Sequence, residues 1–191
     1  MLARFHPIVQ EWFASHFEAP TDSQHAAWPR IADGDDVLLA APTGSGKTFA
    51  AFLVCLDRLI RQAERGELEE GVQIVYVSPL KALSNDIERN LSTPLDELNE
   101  LAKARGMGDL GIRVMTRTGD TPQHLRREMI KRPPHILVTT PESLYIVLTT
   151  KYGRGILTGV NTLIVDEIHT MLRDKRGCHL ALTMARLDHV S

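Results

Sequence analysis

Ala41-Pro42-Thr43-Gly44-Ser45-Gly46-Lys47-Thr48 lies between two apolar runs, 37–40 and 49–56, and constrains this chain more than any other segment. The order is that of a strand, a phosphate-binding loop and a helix. Gly44 and Gly46 permit the tight path that turns successive backbone N–H groups inward, toward an anion seated at a helix N-terminus. Lys47 supplies a cation for the β and γ phosphates of a nucleotide, and the Thr48 hydroxyl can ligate Mg²⁺. Thr43, Gly44, Ser45, Gly46, Lys47 and Thr48 are therefore candidate nucleotide-binding residues. Ala41 stands where the common formula has Gly, which makes this the A-x-T-G-x-G-K-T variant. A glycine-rich turn that happens to hold a Lys-Thr pair is the competing reading, and the flanking strand and helix patterns count against it.

A second element complements the first. Thr162-Leu163-Ile164-Val165 runs directly into Asp166-Glu167-Ile168-His169, an apolar strand ending in two carboxylates. Asp166 would hold Mg²⁺, directly or through water, and Glu167 would orient and deprotonate the water that attacks a γ-phosphate. An acidic pair after a strand also serves as a helix cap. Its pairing with the upstream loop selects the chemical role, with Lys47, Asp166 and Glu167 as the catalytic candidates and Thr48 and Asp166 as the metal ligands.

Short β-branched or apolar runs recur at 36–40, 73–77, 112–116, 135–139 and 162–165. Helical spacing places helices at 24–32, 47–63, 82–90, 94–104, 122–131, 143–149 and 177–187. This alternation predicts an α/β fold: a mostly parallel sheet with helices on both faces, in three αβα layers. Ligands of such sheets gather beyond the carboxyl ends of the strands. Three further strand ends carry Ser78-Pro79-Leu80-Lys81-Ala82-Leu83, Arg117-Thr118-Gly119-Asp120 and Thr140-Pro141-Glu142-Ser143-Leu144. Each combines hydroxyls, a Pro or Gly and helix N-terminal N–H groups, which can grip a phosphodiester backbone without reading bases. Ser78, Pro79, Lys81, Arg117, Thr118, Gly119, Thr140, Pro141 and Glu142 are the nucleic-acid candidates, with ordinary helix capping the alternative for any one loop. Upstream, Phe17 precedes Gln24, whose amide can donate to adenine N7 and accept from its N6 amino group. Thr21 or Asp22 with Gln24 can equally begin a helix.

Composition limits the partners. The 191 residues, 43% hydrophobic and 24% charged, suit one soluble domain spanning 1–191. The longest apolar stretch is too short to span a bilayer and the N-terminus has no signal-peptide pattern, so a cytoplasmic location is expected. A formal net charge of -2 excludes a protein that coats nucleic acid through bulk positive charge. Any nucleic-acid contact is local; the basic clusters are Arg126-Arg127 with Lys131-Arg132 and Arg173 with Lys175-Arg176. Cys55 and Cys178 are expected to be buried free thiols, and no zinc-site spacing occurs.

These motifs together resemble the first RecA-like motor domain of a superfamily 2 helicase, a P-loop NTPase fold. Gln24 matches the Q motif, 41–48 motif I, 78–83 motif Ia, 140–144 motif Ib and 166–169 motif II in its DExH form. The wording is most similar to the large helicase-related (Lhr) group, in His6-Pro7 with Glu11-Trp12-Phe13, in 76–83, in 117–122 and in Lys175-Arg176-Gly177. The resemblance implies ATP and Mg²⁺ as cofactors, 3′-to-5′ translocation on single-stranded DNA, duplex unwinding, and repair as the setting. DNA over RNA rests on the resemblance alone. It also implies that His169 couples the nucleotide site to motif III or to a neighbouring domain, while a histidine satisfied by helix-terminal hydrogen bonds is the local alternative. The chain reaches Ser191 without a Ser-Ala-Thr motif III or a second RecA-like domain with its arginine finger. Such a finger is worth about 10³ to 10⁵ in rate. The expectation is a truncated, monomeric motor half that binds ATP and nucleic acid and hydrolyses slowly. The alternative class is a non-catalytic, ATP-dependent nucleic-acid- or protein-binding module. A small-molecule kinase would need a lid and an acceptor pocket, and would leave Gln24 and the DExH element without a role.

Overall fold

Four short strands, β1 (Ile74–Val77), β2 (Val114–Arg117), β3 (Ile136–Thr139) and β4 (Thr162–Val165), form a parallel sheet in the order β2-β3-β1-β4. The computed structural model describes residues 2–42, 45–79, 81–171 and 174–191, and of 81–90 the backbone alone. Pairing is in register: Val77 lies opposite Thr139 and Val165, and Arg117 opposite Thr139. Successive side chains point to opposite faces of a strand. Val75, Val77 and Leu137 are buried on one face and Ile74, Tyr76, Ile136 and Val138 on the other, so the two central strands are covered on both sides. Parallel sheets require this, which is why β1 and β3 read as continuous apolar runs.

The chain divides into two compact units, Met1–Leu68 with Pro94–Gly111 and Glu69–Thr93 with Ile112–Ser191. The first holds α1 (Pro7–His16), α2 (Asp22–Asp33) and α3 (Lys47–Arg65), with Ile8, Val9, Trp28, Phe52, Leu53, Leu56 and Ile60 buried. Trp28 packs edge-on against Phe5 and Phe13, with ring centroids 5.0 and 5.6 Å apart. The second unit holds the sheet with α5 (Gln123–Lys131), α6 (Pro141–Thr149), α7 (Lys151–Leu157) and α8 (Lys175–Val190). Its core joins Val75, Val77 and Leu137 of the sheet to Met129, Leu144, Val147, Leu157, Leu180 and Leu187 of the helices.

Several boundaries differ from the sequence reading. Residues 36–40 are not a strand: they carry no regular structure, and Leu38 is 84% exposed. An apolar run becomes a strand only when a neighbour takes up its backbone N–H and C=O groups, and the run itself cannot specify that neighbour. The helices expected at 82–90 and 94–104 are one, α4 (Lys81–Ala104), with Pro94 inside it. Strand 112–116 lies instead at Val114–Arg117. Helices α1 and α7 were not anticipated. Pro7 starts α1, and the His6 side chain accepts from the Ile8 N–H. The thiols differ as well: Cys55 is buried and pushed up to about 12 by desolvation, whereas Cys178 is exposed. No described helix is long and apolar enough to cross a membrane.

Thr150 closes α6 and opens α7. Its N–H and hydroxyl both donate to the Val147 carbonyl, and the hydroxyl accepts from the Gly153 N–H. A Cβ on Gly153 would lie 2.1 Å from the Val147 carbonyl oxygen, while one on Gly155 would meet nothing within 4 Å. Gly153→Ala should therefore destabilise the fold by about 1–3 kcal/mol. Gly155→Ala, in the same helix, should stabilise it by about 0.5–1 kcal/mol. Urea midpoints of the two variants should move in opposite directions.

His135 stitches the start of β2 to β3. Its Nδ1 accepts from the Arg113 N–H at 3.0 Å, and its own N–H donates to the Arg113 carbonyl. Burial first, then the Arg113 charge, lowers its pKa from 6.5 to about 4. Between those values the unfolded chain takes up a proton that the folded chain does not, so stability falls as pH drops through this window and is unaffected by this group above it. His135→Asn, whose Oδ1 keeps the acceptor without titrating, should flatten the dependence of the thermal midpoint on pH from 6.5 to 4.

Candidate functional site

The first unit carries the glycine-rich loop. Gly46 precedes α3 in the left-handed region, at φ 79°, and no side chain caps the helix. The first N–H groups of α3 thus remain directed at whatever occupies the loop. Lys47 folds back over the loop and donates to the Ala41 and Pro42 carbonyls, the latter at 2.8 Å, with no carboxylate partner among the described residues. The Ser45 hydroxyl is buried with no hydrogen-bond partner among them. Thr48 is the second residue of α3. Thr43 and Gly44 lie outside the described residues.

Gln24 takes the helix-start reading of the two weighed for it. Its N–H donates to the Thr21 hydroxyl and its Oε1 accepts from the Thr21 N–H, a capping box that starts α2. Its Nε2 also donates to the Gly46 carbonyl at 3.4 Å, and the Thr21 hydroxyl donates to the Ser45 carbonyl at 2.8 Å. The cap is thereby moored to the phosphate loop, and the Gln24 amide is engaged at both ends. Phe17, 37% exposed, lies in an aromatic cluster with Phe13, Trp12 and Phe49.

In the second unit the in-register parallel ladder brings four strand ends to one edge of the sheet. These are Ser78-Pro79 after β1, Thr118-Gly119 after β2, Thr140-Pro141-Glu142 after β3 and Asp166-Glu167 after β4. Asp166 accepts from the Glu167 N–H at 2.8 Å through Oδ1, and from the Tyr76 hydroxyl, in a short hydrogen bond, through Oδ2. Burial, and then the hydrogen bond and charge of Asp166, push the Tyr76 phenol far above its ordinary value, so it stays a donor. Glu167 is the single non-glycine residue with positive φ among the described residues, at 47°. That conformation costs a side-chain-bearing residue on the order of 1–2 kcal/mol, and such strain clusters at functional sites. His169 is exposed, and its Nδ1 lies 3.3 Å from the Glu167 carboxylate.

The hydroxyls of the other loops have internal partners. Thr140 caps α6 by accepting from the Ser143 N–H, and Thr118 accepts from the Asp120 N–H. Ser78 is fully buried. Arg117 is half-buried at the end of β2, its pKa lowered by burial and by the Arg126 charge. Arg126 donates to the carbonyls of Thr118, Gly119 and Thr121, latching that loop to α5. The carboxylate of Glu142 accepts from Arg176 Nε at 2.8 Å. The Lys81 side chain, and motif Ia residue Leu80, lie outside the described residues, as does Arg173. Sequence reasoning missed Tyr76 and Arg176 as site residues. For Tyr76 the signal was present: a phenol in an otherwise aliphatic, fully buried strand must find a hydrogen-bond partner.

A glycine loop at a helix start and a carboxylate pair ending a parallel strand define a RecA-like α/β motor domain. The chain belongs to the DEAD/DEAH box helicase family, whose model matches residues 21–191. It is 50% identical, over 99% of its own length and 12% of the relative's, to the Lhr helicase/probable uracil glycosylase of Mycolicibacterium smegmatis. It is equally 50% identical to the ATP-dependent helicase Lhr-Core of Methanothermobacter thermautotrophicus, covering 97% of this chain and 21% of that protein. Its structure matches Mycobacterium smegmatis helicase Lhr bound to ssDNA and AMP-PNP with a TM-score of 0.92 and 49% identity, over 99% of this chain and 23% of that one. The DEAD-box helicase Mss116, bound to ssRNA and UDP-BeF, shares the fold at TM-score 0.83 and 24% identity, over 98% of this chain and 36% of that one. The chain thus spans a minor part of these relatives' length.

A Cβ on Gly46 would lie 2.7 Å from Gln24 Nε2, whereas one on Gly34, at φ 88°, would meet nothing within 4 Å. Gly34→Ala should cost the left-handed strain alone, about 1–2 kcal/mol. Gly46→Ala should cost measurably more in chemical unfolding, because it also displaces the amide that moors the loop.

Proposed function

We propose that this chain is the ATP-binding motor domain of an ATP-dependent nucleic-acid helicase, acting as a 3′-to-5′ translocase on single-stranded DNA. The observation that carries the reading is the loop at the start of α3, with its uncapped helix and, among the described residues, a Ser45 hydroxyl without a partner and a Lys47 ammonium held only by carbonyls. Buried polar atoms normally find partners, and an anion would supply one here. Thr43, Gly44, Ser45, Gly46 and Lys47 would hold the phosphates, and Phe17 and Gln24 the base.

Among the described residues no cluster of three or more His, Cys, Asp or Glu could hold a metal by itself. Mg²⁺ fits that donor set, since it keeps waters and phosphate oxygens as ligands beside one or two protein groups. Thr48 and Asp166 would be those groups, and bound Mg²⁺ would offset charge on the phosphates. Tyr76 and the Glu167 N–H fix the Asp166 carboxylate. Glu167 would orient the attacking water and take its proton, with His169 beside it transmitting the nucleotide's state. Ser78, Pro79, Lys81, Arg117, Thr118, Gly119, Thr140, Pro141 and, through its backbone at the start of α6, Glu142 would form the strand-gripping edge. In the longer protein a second RecA-like domain would supply an arginine finger, and the setting would be cytoplasmic DNA repair.

The test is titration of a fluorescent ATP analogue against the chain with and without Mg²⁺. Lys47→Ala should remove charge-assisted hydrogen bonds worth about 1.5–3 kcal/mol, weakening binding about ten- to hundredfold. Asp166→Asn should remove the tightening by Mg²⁺. In the longer protein Glu167→Gln should retain binding and stop turnover. Equal binding by the chain and its Lys47→Ala variant would overturn the assignment.

A further inference from the structure

Arg176 is the second residue of α8 and reaches two loops from other strands. Its Nε donates to the Glu142 carboxylate at 2.8 Å, and a terminal nitrogen donates to the Pro79 carbonyl at 2.8 Å. Glu142 belongs to the loop after β3 and Pro79 to the loop after β1. Arg176 is itself held: the Asp174 side chain caps α8 by accepting from the N–H groups of Arg176 and Gly177. One planar guanidinium thus joins three segments at the edge where the four strand ends emerge. Its donors diverge in a fixed fork, which an ammonium cannot reproduce.

The charge arrangement argues against direct phosphate contact by either partner. Glu142 is an anion and would repel a phosphodiester, while the Arg176 charge is offset by that carboxylate. Burial opposes the Glu142 charge, but the Arg176 hydrogen bond and charge, together with hydrogen bonds from the Glu142 backbone and from Thr140, outweigh it, so the carboxyl stays below its usual range. The pair is therefore suited to fixing loop positions.

Resting on the nucleic-acid reading above, we propose that Arg176 is a positioning residue that locks the 78–79 and 140–142 loops in the spacing needed to grip a single-stranded phosphodiester backbone. Glu142 acts by anchoring Arg176, and neither side chain touches the strand.

Fluorescence anisotropy of a labelled oligo-dT with the full chain, over a series of KCl concentrations, tests this. Arg176→Ala should weaken binding about tenfold or more while leaving the slope of log affinity against log salt unchanged, because no phosphate contact is removed. Arg176→Lys, which keeps the charge and loses the fork, should weaken it in the same way and serves if the alanine variant misfolds. Arg176→Ala combined with Glu142→Ala should be no weaker than Arg176→Ala alone, as two ends of one interaction. A slope reduced by about one would mean that Arg176 contacts a phosphate itself, and unchanged affinity would mean that the loops do not depend on it; either overturns the proposal. Absence of any oligo-dT binding by the unaltered chain would instead overturn the nucleic-acid reading on which it rests.

Discussion

The second unit depends on the ladder that β1 makes with both of its neighbours. Ile74 to Val77 pairs residue for residue with β3 on one side and β4 on the other. In a parallel sheet the strands all run the same way, so strands in register end together at one edge. The four chemically distinctive loops share an edge for that reason. A slip of one residue in β4 would turn Leu163 and Val165 away from the core that buries Val75, Val77 and Leu137. It would also carry Asp166 out of reach of Tyr76. Packing and chemistry are thus specified by the same register.

Beyond that edge, the polar groups are largely committed to one another. Thr140 caps a helix, Arg126 latches the loop after β2, Tyr76 holds Asp166, and Gln24 binds both its own cap and the glycine loop. Committed groups are preorganised groups, since their conformational entropy is already lost before a ligand arrives. Among the described residues Trp28 Nε1, Gln62 Oε1, Gln73 Nε2 and Thr116 Oγ1 are also buried without a partner, and three further exceptions bear on phosphate chemistry: the Ser45 hydroxyl, the Lys47 ammonium resting on loop carbonyls, and the strained backbone of Glu167. All three fall in the two segments whose spacing first suggested phosphate chemistry.

Much of the site was legible because its signals are local. A glycine that must adopt positive φ, a lysine after it, and carboxylates at the end of an apolar strand act through backbone geometry within a few residues. The four strands of the sheet were visible for a similar reason, as short β-branched or apolar runs, of which the two central ones are buried along their whole length. Other features were hidden because they depend on distant partners. Residues 36–40 have the composition of a strand, yet Leu38 is exposed and no ladder forms. Pro94 looked like a helix break and instead sits inside α4, where its missing N–H removes one bond from a long run. Arg176 read as part of a basic turn, and only its contacts with Glu142 and Pro79 reveal what it joins.

By itself, the sequence determined the chemistry at hand: a phosphate loop, a carboxylate pair, a parallel α/β sheet and helicase family wording. The loop, the carboxylate pair and the strand pattern follow from dihedral preferences and side-chain periodicity, which neighbouring residues settle, whereas the helicase wording is a matter of resemblance. Tertiary structure alone decided that Tyr76 donates to Asp166 across 90 positions of chain and that Arg176 reaches Pro79 across 97. It also decided that Glu142 is paired with Arg176 and that Cys178 is exposed while Cys55 is not. A hydrogen bond or a burial state is a property of two or more segments brought together, and no single segment encodes which partner will arrive.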